Sequence, residues 1–135
     1  MKISTRGRYA IRVMTDIAEN GKGEYSPLKD IAERQGVSLK YLEGIMLLLS
    51  KSKLVEAVHG KGGGYKLVKS PEEYTVLEIL RVTEGDLAPV ACLEQGAPAC
   101  ERCGDCRTLP MWIELDGLIT DFFAKKTLKD LMKKA

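Results

Sequence analysis

Four cysteines, whose thiolates can perform metal or redox chemistry, crowd into one short window of the 135-residue chain. Cys92, Cys100, Cys103 and Cys106 lie within fifteen residues, and no other cysteine occurs. Glycine and proline separate the thiols, so this segment is predicted to be a loop. Such a loop could bind zinc or an iron-sulfur cluster, or it could act through disulfide formation or oxidation.

The composition indicates one globular unit, with 44% apolar and 30% charged residues. No apolar run reaches the about 18 residues of a spanning helix, and residues 1–14 lack the apolar core of a signal peptide. We therefore expect a cytoplasmic protein without a membrane partner. In that reducing compartment, clustered cysteines are more often ligands or sensors than structural disulfides.

Charge is divided unevenly along the chain. Residues 1–69 contain 13 Lys and Arg against 7 Asp and Glu, a formal charge of +6, whereas residues 70–135 contain 8 against 12, a charge of −4. A basic first half favours contact with a polyanion. Ordinary solvated charges are the alternative, and charge alone does not separate the two interpretations.

A first amphipathic helix is predicted to begin near Ser4 or Thr5, either of which could cap it, and to end at residues 20–21. Its apolar face consists of Ala10, Val13, Met14, Ile17 and Ala18. Backbone N–H groups at a helix start can bind phosphate. The residues predicted to contact phosphate there are Lys2, Thr5, Arg6 and Arg8.

Two short helices follow, joined by a tight turn at residues 36–37. The first runs from about Pro27 to Gln35, and the second begins at Ser38, a good N-cap. This is a helix-turn-helix pattern, whose second helix enters the DNA major groove by its N-terminal end. Similar helix pairs occur in other all-α proteins, and Glu43 could be an ordinary surface charge. The predicted DNA contacts are Ser38, Lys40, Tyr41 and Glu43.

A β-hairpin is predicted directly after this helix, with strands at residues 54–59 and 65–68. Residues 60–64 contain four glycines and form its tip, where the backbone could approach another backbone closely. A nucleotide-binding loop is disfavoured because no Lys-Ser/Thr pair follows the glycines. A hairpin in this place is the wing of a winged helix, and its predicted DNA contacts are His59, Lys61, Gly62 and Gly63.

The second half is predicted to be mainly helical. Thr75 and Glu78 form a capping-box pattern that begins a linker helix, which Gly85 ends. After the cysteine loop, an apolar stripe over three turns indicates a dimerisation helix, and residues 127–131 form a last short helix. The stripe consists of Met111, Leu115, Leu118 and Phe122.

The predicted fold is thus mainly α with a small β-hairpin, a winged helix-turn-helix followed by a long C-terminal dimerisation helix. Residues 1–69 would bind DNA, residues 70–91 would form the linker helix, residues 92–108 the cysteine loop, and residues 109–135 the dimerisation helix and tail. No catalytic fingerprint occurs, so an enzyme is not expected. A small redox protein is the rival function, although it would leave the DNA-binding pattern unexplained.

Five segments in this order resemble the Rrf2 family of bacterial winged-helix repressors: MKISTRGRYA, IAERQGVSLKYLEGI, HGKGGGYKL, TVLEILRVTEG and PMW. The resemblance implies a homodimeric transcriptional regulator that binds a palindromic operator, with the helix-turn-helix in the major groove and the wing in the minor groove. The family usually has arginine where this chain has His59. Because histidine changes charge near neutral pH, wing binding is predicted to be weaker or pH-dependent.

The resemblance also assigns roles in the cysteine loop. Cluster-binding members are similar in carrying three cysteines, which match Cys92, Cys100 and Cys106. Their known fourth ligands fall here on Leu109 or Arg8, neither of which is suitable, so Cys103 becomes the candidate. An iron-sulfur cluster, either 2Fe-2S or 4Fe-4S, is favoured over structural zinc or metal-free thiol sensing. Its gain or loss is expected to change how the dimer binds DNA.

Overall fold

A computed structural model describes residues 2–134, which form six α-helices and one antiparallel β-hairpin. The predicted winged helix-turn-helix with a long C-terminal helix is confirmed. The elements are α1 (Thr5–Asn20), α2 (Leu28–Gln35), α3 (Leu39–Lys51), β1 (Val55–Val58), β2 (Gly64–Leu67), α4 (Val76–Glu84), α5 (Leu109–Lys125) and α6 (Leu128–Leu131).

The main core forms where α1 packs between the helix-turn-helix and α4. Four of the five residues predicted for the inner face of α1 are 2% exposed or less, and the fifth, Ala18, is half-buried. Helix α3 contributes a matching apolar face that is also almost fully buried. The core residues from these two helices are Ala10, Val13, Met14, Ile17, Leu42, Ile45, Met46 and Leu49.

The turn between α2 and α3 has the geometry that the sequence predicts. Gly36 adopts a left-handed conformation with φ 66°, which glycine adopts without steric cost, and its N–H bonds the last carbonyls of α2. Ser38 then caps α3 by accepting a hydrogen bond from the Tyr41 N–H at 3.1 Å. Pro27 differs from the prediction, since it is the N-cap of α2 rather than its first helical residue.

A buried carboxylate fixes α1 against α2. Asp16 is 3% exposed, and its oxygens accept bonds from Arg34 at 2.7 Å and from the Gln35 amide at 2.7 Å. The hydrogen bond with Asp16 raises the pKa of the Arg34 guanidinium. Removing a partner from a buried ion pair strongly destabilises a protein, because the remaining charge is left uncompensated. These bonds therefore fix the angle between α1 and the helix-turn-helix.

The wing pairs β1 with β2 in antiparallel register, from Val55 opposite Leu67 to Val58 opposite Gly64. Strand β1 is two residues shorter than predicted, and β2 has the predicted length but is shifted by one residue, so that Gly64 begins β2 instead of belonging to the tip. Ser26, which precedes α2, pairs with Tyr65 through two backbone bonds of 2.8 and 2.9 Å. An added Cβ at Gly64 would overlap the Ser26 carbonyl, so this glycine allows the wing to lie against the start of α2.

A buried tyrosine secures the base of the wing. The Tyr74 hydroxyl donates to the Leu54 carbonyl oxygen at 2.6 Å and accepts from the Val68 N–H at 2.9 Å. The ring is 0% exposed, and its burial raises the pKa of the phenol. This one side chain therefore connects the segment that follows α3 with the segment that follows β2.

Thr75 is the N-cap of helix α4 and accepts from the Glu78 N–H, and Gly85 ends the helix as expected. The predicted reciprocal capping box is wrong, because the Glu78 carboxylate instead accepts from Lys69 Nζ at 3.0 Å. The chain's last helix, α6, returns to the main core, where Leu128 is 0% exposed. Within residues 2–134, no helix combines the length and apolar composition needed to cross a bilayer.

Candidate DNA interface and cysteine loop

The predicted recognition residues lie on the exposed first turns of α3. Lys40, Tyr41 and Glu43 are all exposed, and Ser38 serves as the cap that fixes the direction of the helix. The Tyr41 ring makes an edge contact with Tyr9 of α1, with ring centroids 5.9 Å apart. The fold therefore presents a lysine and a carboxylate outward from a helix end that is rigidly held, as reading of base edges requires.

The wing tip and the recognition helix line one groove of about 450 Å³. Glu43 lies on its helical side, while His59 and Gly63 lie on its wing side. Lys61 and Gly62 occupy the exposed tip beyond it. Sequence reasoning missed Lys29, an exposed cation on the α2 side of the same groove. The pairing of Ser26 with the wing, which has no local sequence signal, is what brings Lys29 there.

The start of α1, whose N–H groups are predicted to bind phosphate, also makes hydrogen bonds within the chain. The Ser4 side chain accepts from the Gly7 N–H at 3.0 Å, while the Ser4 N–H and hydroxyl both donate to Glu84 Oε1. The Ser4 N–H, the Ser4 hydroxyl and the Gly7 N–H thus already have partners inside the chain. Arg6 also donates to the Thr83 carbonyl oxygen at 2.9 Å.

The side chains predicted to contact phosphate still line this end of α1. Lys2, Thr5, Arg6 and Arg8 are exposed, and Arg8 donates to the Thr5 hydroxyl at 3.1 Å. Their role as phosphate contacts remains a prediction. Gly7 in the first helical turn could have signalled the contact with α4, because an added Cβ would overlap the Glu84 carboxylate.

The cysteine loop extends between α4 and α5 and carries all four thiols as free cysteines. Three of them are exposed, and Cys106 is partly buried. A turn places Cys103 close to Cys100 along the backbone, with a 3.0 Å bond between the Cys103 N–H and the Cys100 carbonyl oxygen. Over residues 2–134, however, no three His, Cys, Asp or Glu side chains come close enough together to hold a metal ion.

The donor types in this loop suit a soft metal centre, because thiolates are the usual ligands of iron-sulfur clusters and of structural zinc. The described conformation does not gather them at one point, so binding would require the loop to close. The assignment of Cys92, Cys100, Cys103 and Cys106 as ligands therefore stays a prediction.

Cys106 has the most clearly perturbed environment of the four thiols. Its Sγ lies 3.5 Å from the Thr108 hydroxyl, and this hydrogen bond, followed by bonds from the Thr108 and Leu109 N–H groups, lowers the pKa of the thiol. Hydrogen bonds that favour a thiolate increase its readiness both to bind metal and to be oxidised.

The first part of the loop is tied to the end of α4. The Asp86 carboxylate accepts from the Ala88 N–H at 2.8 Å and from the Gln95 N–H at 2.7 Å. The Gln95 bond is the main cause that lowers the pKa of Asp86. Gln95 lies between Cys92 and Cys100, so this carboxylate fixes the backbone of the predicted ligand segment relative to α4.

Helix α5 has one face that packs on the chain and one that does not. Trp112 and Ile119 are half-buried, and Phe123 packs on the small apolar cluster around Leu80. The predicted stripe lies on the exposed side instead, where its four side chains are 36–62% exposed: Met111, Leu115, Leu118 and Phe122.

Comparison with known proteins agrees with this architecture. The family described as "Rrf2: Iron-dependent Transcriptional regulator" matches residues 3–134. The HTH-type transcriptional regulator IscR of Pectobacterium carotovorum is 39% identical over 98% of this chain and 79% of its own.

Two solved structures share the fold. The structure of CymR, the global cysteine regulator of B. subtilis, has a TM-score of 0.80 and 32% identity, covering 97% of this chain and 95% of its own. IscR of T. potens has a TM-score of 0.76 and 33% identity, covering 97% and 85%. These relatives are named as regulators, and none is named for a catalysed reaction. The chain belongs to the Rrf2 family of transcriptional regulators, as its sequence motifs and its winged helix-turn-helix both indicate.

Proposed function

We propose that this regulator is a homodimeric repressor that binds a palindromic operator and responds to an iron-sulfur cluster held by residues 92–108. Membership of the family makes it a DNA-binding transcriptional regulator and not an enzyme. The observation that carries the finer proposal is the pairing of an exposed basic recognition surface with four free thiols on one loop. We place the protein in the cytoplasm, where thiols are kept reduced.

DNA recognition would follow from the geometry of α3 and the wing. With α3 in the major groove, Lys40 could bond a guanine or a phosphate, and Glu43 could accept from a cytosine amino group. The groove between α3 and the wing would admit the sugar-phosphate backbone, with Lys29 and Lys61 beside it. The wing tip would then enter the minor groove, where its glycines allow close approach.

Dimerisation would bury the exposed stripe of α5 against its counterpart in a second copy. A palindromic operator mirrors the two-fold symmetry of a dimer, and its half-sites would lie about 34 Å apart, one helical turn of DNA. The stripe supports this assignment because four large apolar side chains are exposed at i, i+4, i+7 and i+11 on one helix.

Cys92, Cys100, Cys103 and Cys106 would hold the cluster, which when bound would supply a centre that can be oxidised, reduced or lost. The chain itself presents the thiols on a loop. The Asp86 carboxylate anchors the backbone of this loop to the end of α4 by its bond to the Gln95 N–H. Regulation requires that the loaded loop stabilise one dimer geometry over another, since only a differential interaction shifts an equilibrium.

A second candidate is the same DNA-binding fold with a metal-free thiol switch. The hydrogen bond between Cys106 and Thr108, which lowers the pKa of the thiol, favours it, because the thiolate is the form that reacts with oxidants. Structural zinc on the same thiols is a further alternative.

Anaerobic purification followed by iron, sulfide and zinc analysis separates these candidates. Wild-type protein is expected to contain iron and sulfide, and Cys103→Ala is expected to lose most of both. Zinc without sulfide would establish the zinc site. A metal-free protein whose operator affinity falls reversibly on oxidation would establish the thiol switch. A full cluster in Cys103→Ala would show that the fourth ligand lies elsewhere.

A further inference from the structure

The N-terminal end of α1 meets the C-terminal end of α4 at a polar contact, which we call the α1–α4 junction and define as Ser4, Arg6, Thr83 and Glu84. Glu84 Oε1 accepts from the Ser4 N–H at 2.8 Å and from the Ser4 hydroxyl at 2.6 Å. Arg6 donates to the Thr83 carbonyl oxygen at 2.9 Å. These three bonds join residues 77 to 80 positions apart.

The α1 side of the junction forms part of the predicted DNA surface. Ser4 caps α1, and the basic residues around it are the predicted phosphate contacts. Gly7 leaves the space that the Glu84 carboxylate occupies. The position of the first turn of α1 therefore depends directly on where the end of α4 lies.

The α4 side of the junction is continuous with the cysteine loop. Glu84 is the last residue of α4, and Asp86 follows it after one glycine. The Asp86 carboxylate holds the Ala88 and Gln95 N–H groups, and Leu87 packs into the apolar cluster of α4 and α5. A movement of the ligand segment would therefore pull on Asp86. Because Asp86 lies two residues after Glu84, the end of α4 that carries Glu84 would move with it.

We infer that Glu84 is a positioning residue that transmits the state of the cysteine loop to the phosphate-contacting start of α1. This inference rests on the proposed control of DNA binding by the loop. When the loop changes state, the displacement of Asp86 moves the Glu84 carboxylate and the Thr83 carbonyl oxygen. Ser4 and Arg6 then lose or regain their acceptors, which changes how the basic end of α1 meets the DNA backbone.

The test compares operator affinity in two loop states for wild type, Glu84→Ala, Glu84→Gln and Glu78→Ala. The states are anaerobically purified protein and protein stripped by a chelator, and the probe is a duplex that the wild type selects from a random library. Glu78 is the matched control because it lies on the same helix, while its carboxylate binds Lys69 rather than a residue of α1.

Wild type is expected to differ between the two states by about 5- to 150-fold, the usual range of coupling between sites. Glu84→Ala should reduce that ratio to within about twofold of unity. Glu78→Ala should keep the wild-type ratio, and Glu84→Gln should keep most of it because its amide oxygen still accepts hydrogen bonds. A wild-type ratio in Glu84→Ala would overturn the inference.

A second readout needs no metal. Hydrogen exchange is followed at the Ser4 and Gly7 amides before and after iodoacetamide modification of the four thiols in stripped protein. Modification should accelerate exchange at these amides in wild type and cause no further acceleration in Glu84→Ala.

If wild type binds DNA equally in both loop states, the proposed control of DNA binding by the loop fails. In that case, unchanged exchange on modification would also overturn the role of Glu84, whereas accelerated exchange would uphold it.

If Glu84→Ala does not fold, Ser4→Ala replaces it. This variant removes the 2.6 Å hydroxyl bond to Glu84 and the cap that Ser4 provides for the Gly7 N–H, and it keeps the Ser4 N–H bond to Glu84. It should lower the affinity ratio between the two loop states partially, to between the wild-type value and unity. A Ser4→Ala ratio equal to wild type would count against the inference in the same way.

Discussion

The Tyr74 hydroxyl serves three backbone groups at once, as a donor to Leu54 and an acceptor from Val68 and Lys69. Leu54 and Val68 lie one residue beyond the last paired residues of the hairpin, Val55 and Leu67. The Leu54 carbonyl oxygen and the Val68 N–H therefore bond the tyrosine hydroxyl, which a phenylalanine ring could not provide. One buried side chain therefore determines where the wing leaves the core, and with it the position of the tip.

Tyr74→Phe should lower the free energy of unfolding by about 1–3 kcal/mol, because it leaves buried backbone groups without their partner. Urea denaturation measures this loss. Tyr25→Phe is the matched control, since that half-buried ring contacts Lys66 at 4.7 Å, and it should change stability by less than about 0.5 kcal/mol. Equal losses in both variants would contradict the assigned role of the Tyr74 hydroxyl.

His59 occupies the wing position at which the family resemblance implies an arginine. His59→Arg should tighten operator binding severalfold and weaken its dependence on pH between 5 and 8, because arginine stays charged throughout this range. Operator affinity measured at pH 6 and pH 8 checks this. Lys61→Arg, which conserves charge at the same tip, should leave both properties near wild type. An unchanged affinity and pH profile in His59→Arg would show that His59 does not approach DNA.

At the scale of elements, helix α5 has one face that packs on the rest of the chain and one face that is exposed to solvent. Its inner side packs on α4 through Phe123, while its outer side presents the stripe. A helix buried on only one side leaves apolar area in water that a second copy could cover. The short tail then turns back, and α6 fixes the end of α5 to the main core through Leu128.

Leu118→Glu should weaken dimerisation at least tenfold, because burial of a leucine contributes about 1.5–3 kcal/mol and a buried unpaired charge costs more. Leu118 is the most exposed member of the stripe at 62%. Sedimentation velocity over a concentration series measures the change. Ala124→Glu adds the same charge elsewhere on α5 and should leave the dimer intact. A dimer of wild-type stability in Leu118→Glu would place the interface elsewhere.

For the whole molecule, the division of charge has a structural counterpart. The described part of the basic half, residues 2–69, contains α1, the helix-turn-helix and the wing, and the acidic half contains α4, the cysteine loop, α5 and α6. DNA would therefore be attracted to one side of the molecule and repelled from the other. Such an arrangement orients the protein before contact and makes binding depend strongly on salt.

Operator affinity should fall steeply between about 50 and 200 mM salt, because each neutralised phosphate releases condensed counterions. Arg8→Ala should reduce the slope of log K against log salt by about two for a dimer, one phosphate contact per subunit. Fluorescence anisotropy with a labelled operator gives the slopes. Lys125→Ala, at the end of α5 in the acidic half, should leave the slope unchanged. A full slope in Arg8→Ala would remove Arg8 from the interface.

The amino-acid sequence alone determined the features that depend on local order. Helical periodicity placed α1, α3 and the stripe of α5, and the Gly36 turn with the Ser38 cap identified the helix-turn-helix. The glycines at residues 60–64 and the flanking apolar residues predicted the wing, with all four strand ends within one residue of their positions. These features follow from interactions within a few residues, so propensity and spacing were sufficient to predict them.

Only the tertiary structure decided the contacts between distant segments. The pairing of Ser26 with the wing, the Tyr74 anchor and the α1–α4 junction each join residues that local patterns treat as independent. The capping-box spacing predicts that the Glu78 carboxylate bonds the N-cap of its own helix, whereas the folded chain brings Lys69 within 3.0 Å of it. Partner choice depends on which groups the packed core brings within hydrogen-bonding distance, and no spacing along the chain encodes that distance.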